Sequence, residues 1–166
     1  MAEKINIALS GLVVSIDGLR PDPKNARKHG KKSIEAIKES LTTYGQQKPI
    51  VAMADGKVIA GSGMFQAAEE LGWTKIAVVM FSSTDQAEAT AYGLVDNRVA
   101  EKSTWDEEML KNLGNEIDLN EVIGFDQKFL KKYAFEKGAP QPDTKRQVQC
   151  PHCLKYHDLP TRKRKK

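Results

Sequence analysis

The stretch from residue 49 to residue 72 constrains the fold of this chain more than any other part of the sequence. Two short apolar runs, PIVAMA and KVIA, stand on either side of Asp55-Gly56. This dipeptide favours a two-residue β-hairpin turn, since both turn positions need positive φ. Gly61-Ser62-Gly63 follows at once, and the next run predicts a helix over 64–72. The sequence therefore predicts a hairpin that continues through a glycine turn into a helix.

The flanking sequence supplies the remaining strands and helices. Runs rich in β-branched residues predict strands at 12–16 and 75–81. Ser33 is a suitable N-cap for the helix after the basic segment, and Asp85 with Glu88 forms a capping box for a later helix. Helices are expected at 33–44, 85–99, 106–117 and 126–134, with an apolar face on the second made of Ala87, Ala91, Leu94 and Val95. This order predicts an α+β domain with a small mixed sheet and packed helices.

Charge divides the 166-residue chain into a body and a basic C-terminal tail. Residues 137–166 carry nine lysines and arginines and two acids, whereas the rest of the chain is mildly acidic, within a net charge of +4. The composition also changes to Pro, Gln, Lys and Arg beyond Gly138, so we expect a domain over 1–136 and a tail over 137–166. A polyanion is expected to meet the tail first.

Several classes of protein are disfavoured by what the sequence lacks. No apolar run approaches the roughly 20 residues that a membrane-spanning helix needs, so no membrane partner is expected. No signal peptide is recognisable near the N-terminus. The two cysteines both lie in one C-x-x-C, which cannot form a disulfide framework. We therefore expect an intracellular, cytoplasmic protein.

Three groups of residues in the body could bind a phosphate. Gly61-Ser62-Gly63 opens a helix, so backbone N–H groups and the Ser62 hydroxyl could cradle an anion; the glycines could equally serve only a tight turn. The basic segment 20–32 contains Asn25 and Arg27, which could flank a phosphate or belong to a solvated loop. Asp96-Asn97 could hold a metal–phosphate pair or simply mark a helix end.

The order of these groups along the chain is distinctive. The segments that carry the pattern are Asn25-Ala26-Arg27, a helix ending at Tyr44-Gly45, Pro49 to Val51, Val58 to Gly63, Ala67 to Trp73, and Leu94 to Asn97. Together they resemble the ParB/sulfiredoxin superfamily domain over roughly residues 12–130. The chain is most similar to the stand-alone ParB-like proteins of phages and mobile elements. The resemblance implies a ParB/sulfiredoxin-like fold followed by a basic tail.

The resemblance also implies a pocket for a nucleoside triphosphate with Mg²⁺. Partition proteins of the superfamily bind CTP and clamp DNA, sulfiredoxins and free-serine kinases transfer phosphoryl groups, and some members are described as nucleases. Carried over by position, Gly61, Ser62 and Gly63 would cradle phosphate, Asn25 and Arg27 would flank it, and Asp96 with Asn97 would face the metal. Ser62 and Asp96 are then the candidate catalytic residues.

The glycine turn departs from the superfamily pattern at two positions. Ser62 stands where a histidine is common, and Met64 stands where an arginine is common. The loss of that guanidinium weakens the binding of a charged phosphoryl group. No cysteine lies near the turn for sulfiredoxin chemistry, and residues 106–136 are too few for the helix-turn-helix of partition proteins. The substitutions at Ser62 and Met64 argue against an enzyme, and the missing helix-turn-helix argues against centromere-like sequence reading.

A zinc site is predicted in the tail. Cys150-Pro151-His152-Cys153 is typical of a zinc knuckle, in which both thiolates bind one Zn²⁺. His157 could be a third ligand, and the fourth could come from Asp158, His29 or a partner chain. The alternative is a vestigial half of a zinc ribbon that binds no metal.

Two basic clusters are the candidate DNA contacts. The sequence ends in five consecutive cations, and the basic segment adds three lysines: Arg162, Lys163, Arg164, Lys165 and Lys166, with Lys28, Lys31 and Lys32. Such clusters fit the phosphate backbone without sequence preference, although a tail of this kind can serve solubility alone. We expect a DNA-binding accessory protein of a phage or mobile element, which could form a homodimer. The alternatives are a Mg²⁺-dependent phosphotransferase or nuclease that uses the same pocket, and a protein-interaction module or inhibitor whose pocket is inactive.

Overall fold

The computed structural model describes residues 3–132 together with 147–149 and 156–158. The chain divides into two compact units, residues 1–105 and 106–166. The strands of the first unit are β1 (Val13–Ser15), β2 (Arg20–Pro21), β3 (Ile50–Ala52), β4 (Lys57–Ala60) and β5 (Lys75–Met80), and its helices are α1 (Lys31–Tyr44), α2 (Ser62–Glu70) and α3 (Gln86–Lys102). The second unit contains α4 (Glu107–Glu116), α5 (Gln127–Lys132), β6 (Gln147–Gln149) and β7 (Tyr156–Asp158).

The sheet of the first unit is small and mixed, which confirms the α+β prediction. Its strands lie in the order β1-β5-β3-β4-β2. The β1/β5 and β3/β4 pairs are antiparallel, whereas β3 runs parallel to β5 and β2 runs parallel to β4. The parallel pairs need crossover connections, and these contain α1 and α2.

The helices cover both faces of this sheet. Alternate residues of a strand point to opposite faces, and β4 shows the consequence directly. Val58 lies in the larger core with Ile34 of α1 and Phe65 of α2. Ile59, the next residue, packs with Ala89 of α3. The helices α1 and α2 therefore lie on one face of the sheet and α3 lies on the other.

The hairpin forms where it was predicted, but its turn differs. The Gly56 N–H donates to the Met53 carbonyl at 2.9 Å, and the Met53 N–H donates to the Lys57 carbonyl at 2.9 Å. These bonds enclose the three-residue loop 54–56 instead of a two-residue turn. Gly56 has φ +83°, which suits the left-handed position that follows the tight part of such a loop.

Two helices begin earlier than predicted. The N-cap of α1 is Gly30 and not Ser33, because the Gly30 carbonyl already accepts the N–H groups of Ser33 and Ile34. The helix α2 begins at Ser62 and not at 64, since the Phe65 N–H donates to the Gly61 carbonyl at 3.0 Å. The glycine turn is thus the first turn of α2 itself.

The predicted N-cap of α3 is confirmed, but its predicted apolar face is wrong. The Asp85 carboxylate accepts the Ala87 N–H at 2.8 Å. The four apolar residues expected to be buried are all exposed: Ala87, Ala91, Leu94 and Val95. Small residues face the sheet in their place. The helix lies so close to the sheet that a Cβ on Gly93 would be 2.7 Å from the Ile59 carbonyl oxygen. The helix also continues to Lys102, so Asp96-Asn97 lies inside it and not at its end.

The second unit has its own small core. Leu110, Leu119 and Leu130 are buried there, and the rings of Phe125 and Phe129 pack edge to face. The short strands β6 and β7 pair antiparallel. The boundary predicted near residue 136 lies outside the described residues and stays a prediction. Among the described residues, no helix has the length and apolar character needed to cross a membrane.

Candidate functional site

Loop 22–30, which joins β2 to α1, is shaped by two side-chain turns. The Asp22 carboxylate accepts the Lys24 N–H at 2.9 Å, and the Asn25 side-chain oxygen accepts the Arg27 N–H at 2.9 Å. Asp and Asn favour such local turns because their short side chains reach the backbone two residues on. Asn25 therefore positions the backbone of Arg27, whatever else its amide binds.

A cleft lies between this loop and the middle of α3. It contains about 280 Å³ of empty space, part of it open to solvent. Its polar lining residues are Asp22, Lys24, Asn25, Thr90 and Asn97. The Asn97 amide donates to the Gly93 carbonyl at 2.8 Å. The structure thus brings together Asn25 and Asn97, which lie 72 positions apart in the sequence.

Close packing explains why both Gly61 and Gly63 of the glycine turn lack a side chain. Gly61 has φ +83°, and a Cβ there would lie 2.7 Å from the Ile50 side chain. A Cβ on Gly63 would lie 2.8 Å from the ring of His29 and 2.9 Å from Ile37. No side chain caps the first turn of α2. Its N–H groups can therefore bind an anion, although none of the three turn residues lines the cleft.

Arg27 contacts an acid of α3. Its guanidinium pairs with Glu101, and Arg98 donates to the same carboxylate at 3.0 Å. These bonds, first from Arg98 and then from Arg27, hold the pKa of Glu101 below its usual range. Arg27 is therefore bound to an internal anion in this structure.

Asp96 and Asn97, the pair predicted to face a metal, do not lie in the same environment. Asn97 lines the cleft, whereas Asp96 is exposed and does not line it. The carboxylate that does line the cleft is that of Asp22, which also caps the turn of the loop. The sequence marked Asp22 only as the single acid of the basic segment.

The predicted DNA-contacting lysines of the body lie together at the start of α1. Lys28, Lys31 and Lys32 are exposed and form no ion pair within the described part of the chain. No acidic residue lies in the first turn of α1. By contrast, Arg20 pairs with Asp55, and Lys38 lies 3.3 Å from Glu35 and 3.4 Å from Glu70.

Residues 5–98, more than half of the chain, match the model of the ParB N-terminal domain family. The chain belongs to this family. It is 32% identical over 87 residues to the ParB-like nuclease domain-containing protein YnaK of Escherichia coli, a match that covers 52% of this chain and 95% of YnaK.

The ParB assignment agrees with one solved structure that is similar in fold. A C-terminally truncated chromosome-partitioning protein ParB from Caulobacter crescentus, complexed with CTP-γ-S, superposes with a TM-score of 0.54 at 17% identity and covers 73% of this chain and 68% of that one. Sulfiredoxin from Arabidopsis thaliana matches with a TM-score of 0.40 at 21% identity, over 49% of this chain and 96% of that one. At 17% identity the match to the Caulobacter crescentus protein bears on the fold and not on the function.

The ParB fold raises the question of a nucleotide with Mg²⁺, for which this chain offers a partial set of ligands. The described residues contain no group of three or more His, Cys, Asp or Glu that could hold a metal. Mg²⁺ usually needs only one or two protein carboxylates when phosphates supply further ligands. Asp22, with the amide oxygens of Asn25 and Asn97, fits that requirement. The residues therefore suit a Mg²⁺–phosphate complex better than a free ion.

Sequence reasoning missed two further residues near this ParB-type site. His29 lies against Gly63, with Nδ1 3.4 Å from the Ser33 hydroxyl, and it had been considered only as a zinc ligand. Glu101 had no sequence signal, because its partner Arg27 is 74 residues away. The contact between His29 and Gly63 could have been inferred only from the glycines of the turn, which leave room for a side chain from the loop.

The candidate sites in the tail lie mostly outside the described residues. Cys150, Cys153 and residues 162–166 are all in this group. His157 belongs to β7, where it pairs with Val148 of β6. The strands β6 and β7 thus flank the C-x-x-C in the sequence, and the zinc site stays a prediction.

Proposed function

We propose that this ParB-family chain is a DNA-binding accessory protein of the type that phages and mobile elements carry. It contacts the phosphate backbone through Lys28, Lys31 and Lys32 and through the five cations at residues 162–166. The observation that carries this proposal is the group of unpaired lysines at the start of α1.

The position of these lysines is unfavourable for the isolated protein. A helix carries a partial positive charge at its N-terminus, so cations in the first turn destabilise it, typically by 0.3–1 kcal/mol each. Here Lys31 and Lys32 are the first two residues of α1, and no acid compensates them. An external polyanion would satisfy the lysines and the free N–H groups of that turn together.

The cleft and its surroundings support a second element of the proposal, a nucleotide site. Asn25 and Asn97 line the cleft, Arg27 lies two residues beyond Asn25, and the uncapped first turn of α2 offers N–H donors. The ParB of Caulobacter crescentus is complexed with CTP-γ-S. A nucleoside triphosphate with Mg²⁺ is accordingly the ligand that we propose for this site.

Zinc binding by the tail is a further part of the proposal. Its support is the pairing of β6 with β7, which brings the two segments that flank the C-x-x-C side by side. Cys150, Cys153 and His157 are the proposed ligands, and a bound zinc would stabilise the segment that precedes the terminal cations.

Neutralising the three lysines at the start of α1 is expected to weaken DNA binding and to reduce its salt dependence. The triple variant Lys28→Gln, Lys31→Gln, Lys32→Gln should bind a duplex of about 20 base pairs roughly tenfold more weakly at about 100 mM salt, and the slope of log K against log [salt] should become shallower by about 2–3. Fluorescence anisotropy of a labelled duplex measures both quantities.

A matched control separates these contacts from the effect of net charge. Lys48, Lys111 and Lys128 are exposed and lie away from loop 22–30 in sequence. Their triple glutamine variant has the same net charge as the variant of Lys28, Lys31 and Lys32. Equal slopes for the two variants would contradict a specific role for the lysines at the start of α1.

Removal of the Arg27 guanidinium is expected to abolish nucleotide binding. If one nucleoside triphosphate with Mg²⁺ at 100 times its dissociation constant stabilises the wild type by about 2.7 kcal/mol, Arg27→Ala should lose most of that gain. Thermal unfolding of the wild type and of Arg27→Ala, measured with ATP, CTP, GTP and UTP in turn, tests this expectation. No shift in the wild type with any nucleotide would remove the nucleotide site from the proposal and leave DNA binding.

A further inference from the structure

One carboxylate of the first unit is held by two arginines from different elements. Arg98 of α3 lies 3.0 Å from one oxygen of Glu101, and Arg27 of loop 22–30 contacts the other. The pair Arg98–Glu101 alone is the ordinary i, i+3 pair of an exposed helix. The contact from Arg27 makes the arrangement unusual, because Arg27 is 74 residues away in the sequence. It lies on a loop in which the Asn25 side chain accepts the Arg27 N–H.

We propose that Arg27 and Arg98 form a two-arginine subsite for a phosphoryl group, and that Glu101 occupies this subsite until the ligand replaces it. The proposal rests on the phosphate site proposed above and adds two residues to it. Guanidinium groups bind carboxylate and phosphate oxygens with the same fork of donors. The Glu101 carboxylate therefore makes the contacts with the two arginines that the bound phosphoryl group would make.

The internal anion can be displaced at small cost. The side chains of Arg27, Arg98 and Glu101 are 45%, 68% and 43% exposed, so water screens their interaction. A phosphoryl group carries more charge than a carboxylate and offers more acceptor oxygens.

The two arginines are close in sequence to residues that line the cleft, although neither arginine lines it. Arg98 follows Asn97 directly on α3, and Arg27 follows Asn25 by two residues on the loop. A polyphosphate with its Mg²⁺-bound phosphates in the cleft could therefore place a further phosphoryl group between the arginines. The chemical class that this arrangement selects is an organic polyphosphate, of which inorganic tripolyphosphate reproduces the charged part.

Calorimetric titration of the full chain with tripolyphosphate tests the proposal. Glu101→Gln should bind about 3–5-fold more tightly than the wild type, because the competing carboxylate is gone. Arg98→Gln should bind about tenfold more weakly, because one charge-assisted fork is lost. Glu88→Gln and Lys102→Gln are the matched controls, since both residues are exposed on α3 and change the net charge equally. Every variant has the same tail, so any binding of the probe by the tail cations is equal in all of them and the comparison is between variants.

The outcomes separate this proposal from the nucleotide site on which it rests. If the wild type binds but Glu101→Gln matches Glu88→Gln, or Arg98→Gln matches Lys102→Gln, the two-arginine subsite is wrong and the nucleotide site stands. If Glu101→Gln binds and the wild type does not, the ligand does not displace Glu101 and the proposed replacement is contradicted. If no variant binds, the two-arginine subsite is contradicted, whereas the nucleotide site is tested separately by thermal unfolding with nucleoside triphosphates.

Discussion

Replacement of Gln46 by leucine is expected to destabilise the first unit by about 3–5 kcal/mol. Gln46 is fully buried, and its side-chain amide bonds the backbone of β5 as a neighbouring strand would. Its Nε2 donates to the carbonyls of Ala77 at 2.9 Å and Lys48 at 3.1 Å, and its Oε1 accepts the Ala77 N–H at 2.8 Å. Leucine would leave the two buried backbone groups of Ala77 without partners, each at a cost of about 1–3 kcal/mol, and would also remove the bond to the part-buried carbonyl of Lys48.

Gln47 provides the control for this substitution. It is the next residue and is exposed, and its amide bonds the Tyr44 carbonyl and the Asn6 side chain at the surface. Gln47→Leu should cost less than about 1 kcal/mol, because water replaces those bonds. Urea denaturation followed by circular dichroism gives both values. Equal costs for the two variants would show that Gln46 does not hold the sheet as described.

Replacement of Gly61 by alanine is expected to cost about 3 kcal/mol. The left-handed conformation at φ +83° contributes about 1–2 kcal/mol of that cost for an L-residue. The remainder comes from the new Cβ, which would lie 2.7 Å from Ile50 Cγ2 in the core and force the side chain or the turn to move.

Gly72 separates the two contributions to the Gly61 effect. Gly72 has φ +73°, but nothing lies within 4 Å of a Cβ built there. Gly72→Ala should therefore cost only about 1–2 kcal/mol, the conformational part alone. The free energies of unfolding of the two variants, measured side by side, give the clash as their difference. A Gly61→Ala variant no less stable than Gly72→Ala would contradict the close packing of the glycine turn on β3.

Patterns within about ten residues predicted most of the local structure correctly. The hairpin around Asp55-Gly56, the Asp85 cap and the helix that leads to Gly45 all depend on neighbours in the sequence. The error on α3 has a tertiary cause. Leu94 and Val95 are more hydrophobic than Ala89, but Ala89 and Gly93 allow α3 to approach the sheet closely, and close approach determined the buried face.

The candidate site was predictable only in part for the same reason. Asn25, Arg27 and Asn97 were recognised from their order along the chain, and the structure places Asn25 and Asn97 on one cleft. The carboxylate of Asp22 and the partner of Arg27 were not recognised. Both depend on which side chains the fold brings into contact over long sequence separations, and a single sequence carries no signal for such pairs.

The affinity of the wild-type chain for a duplex of about 20 base pairs, measured as a function of salt between about 50 and 200 mM, tests DNA binding most directly. Each phosphate contact contributes about −0.9 to the slope of log K against log [salt]. If each cation contacts one phosphate, the three lysines at the start of α1 and the five cations at residues 162–166 together predict a slope of about −7, of which the three lysines contribute about −3. A slope shallower than about −3, or no binding at about 50 mM salt, would contradict the proposed function.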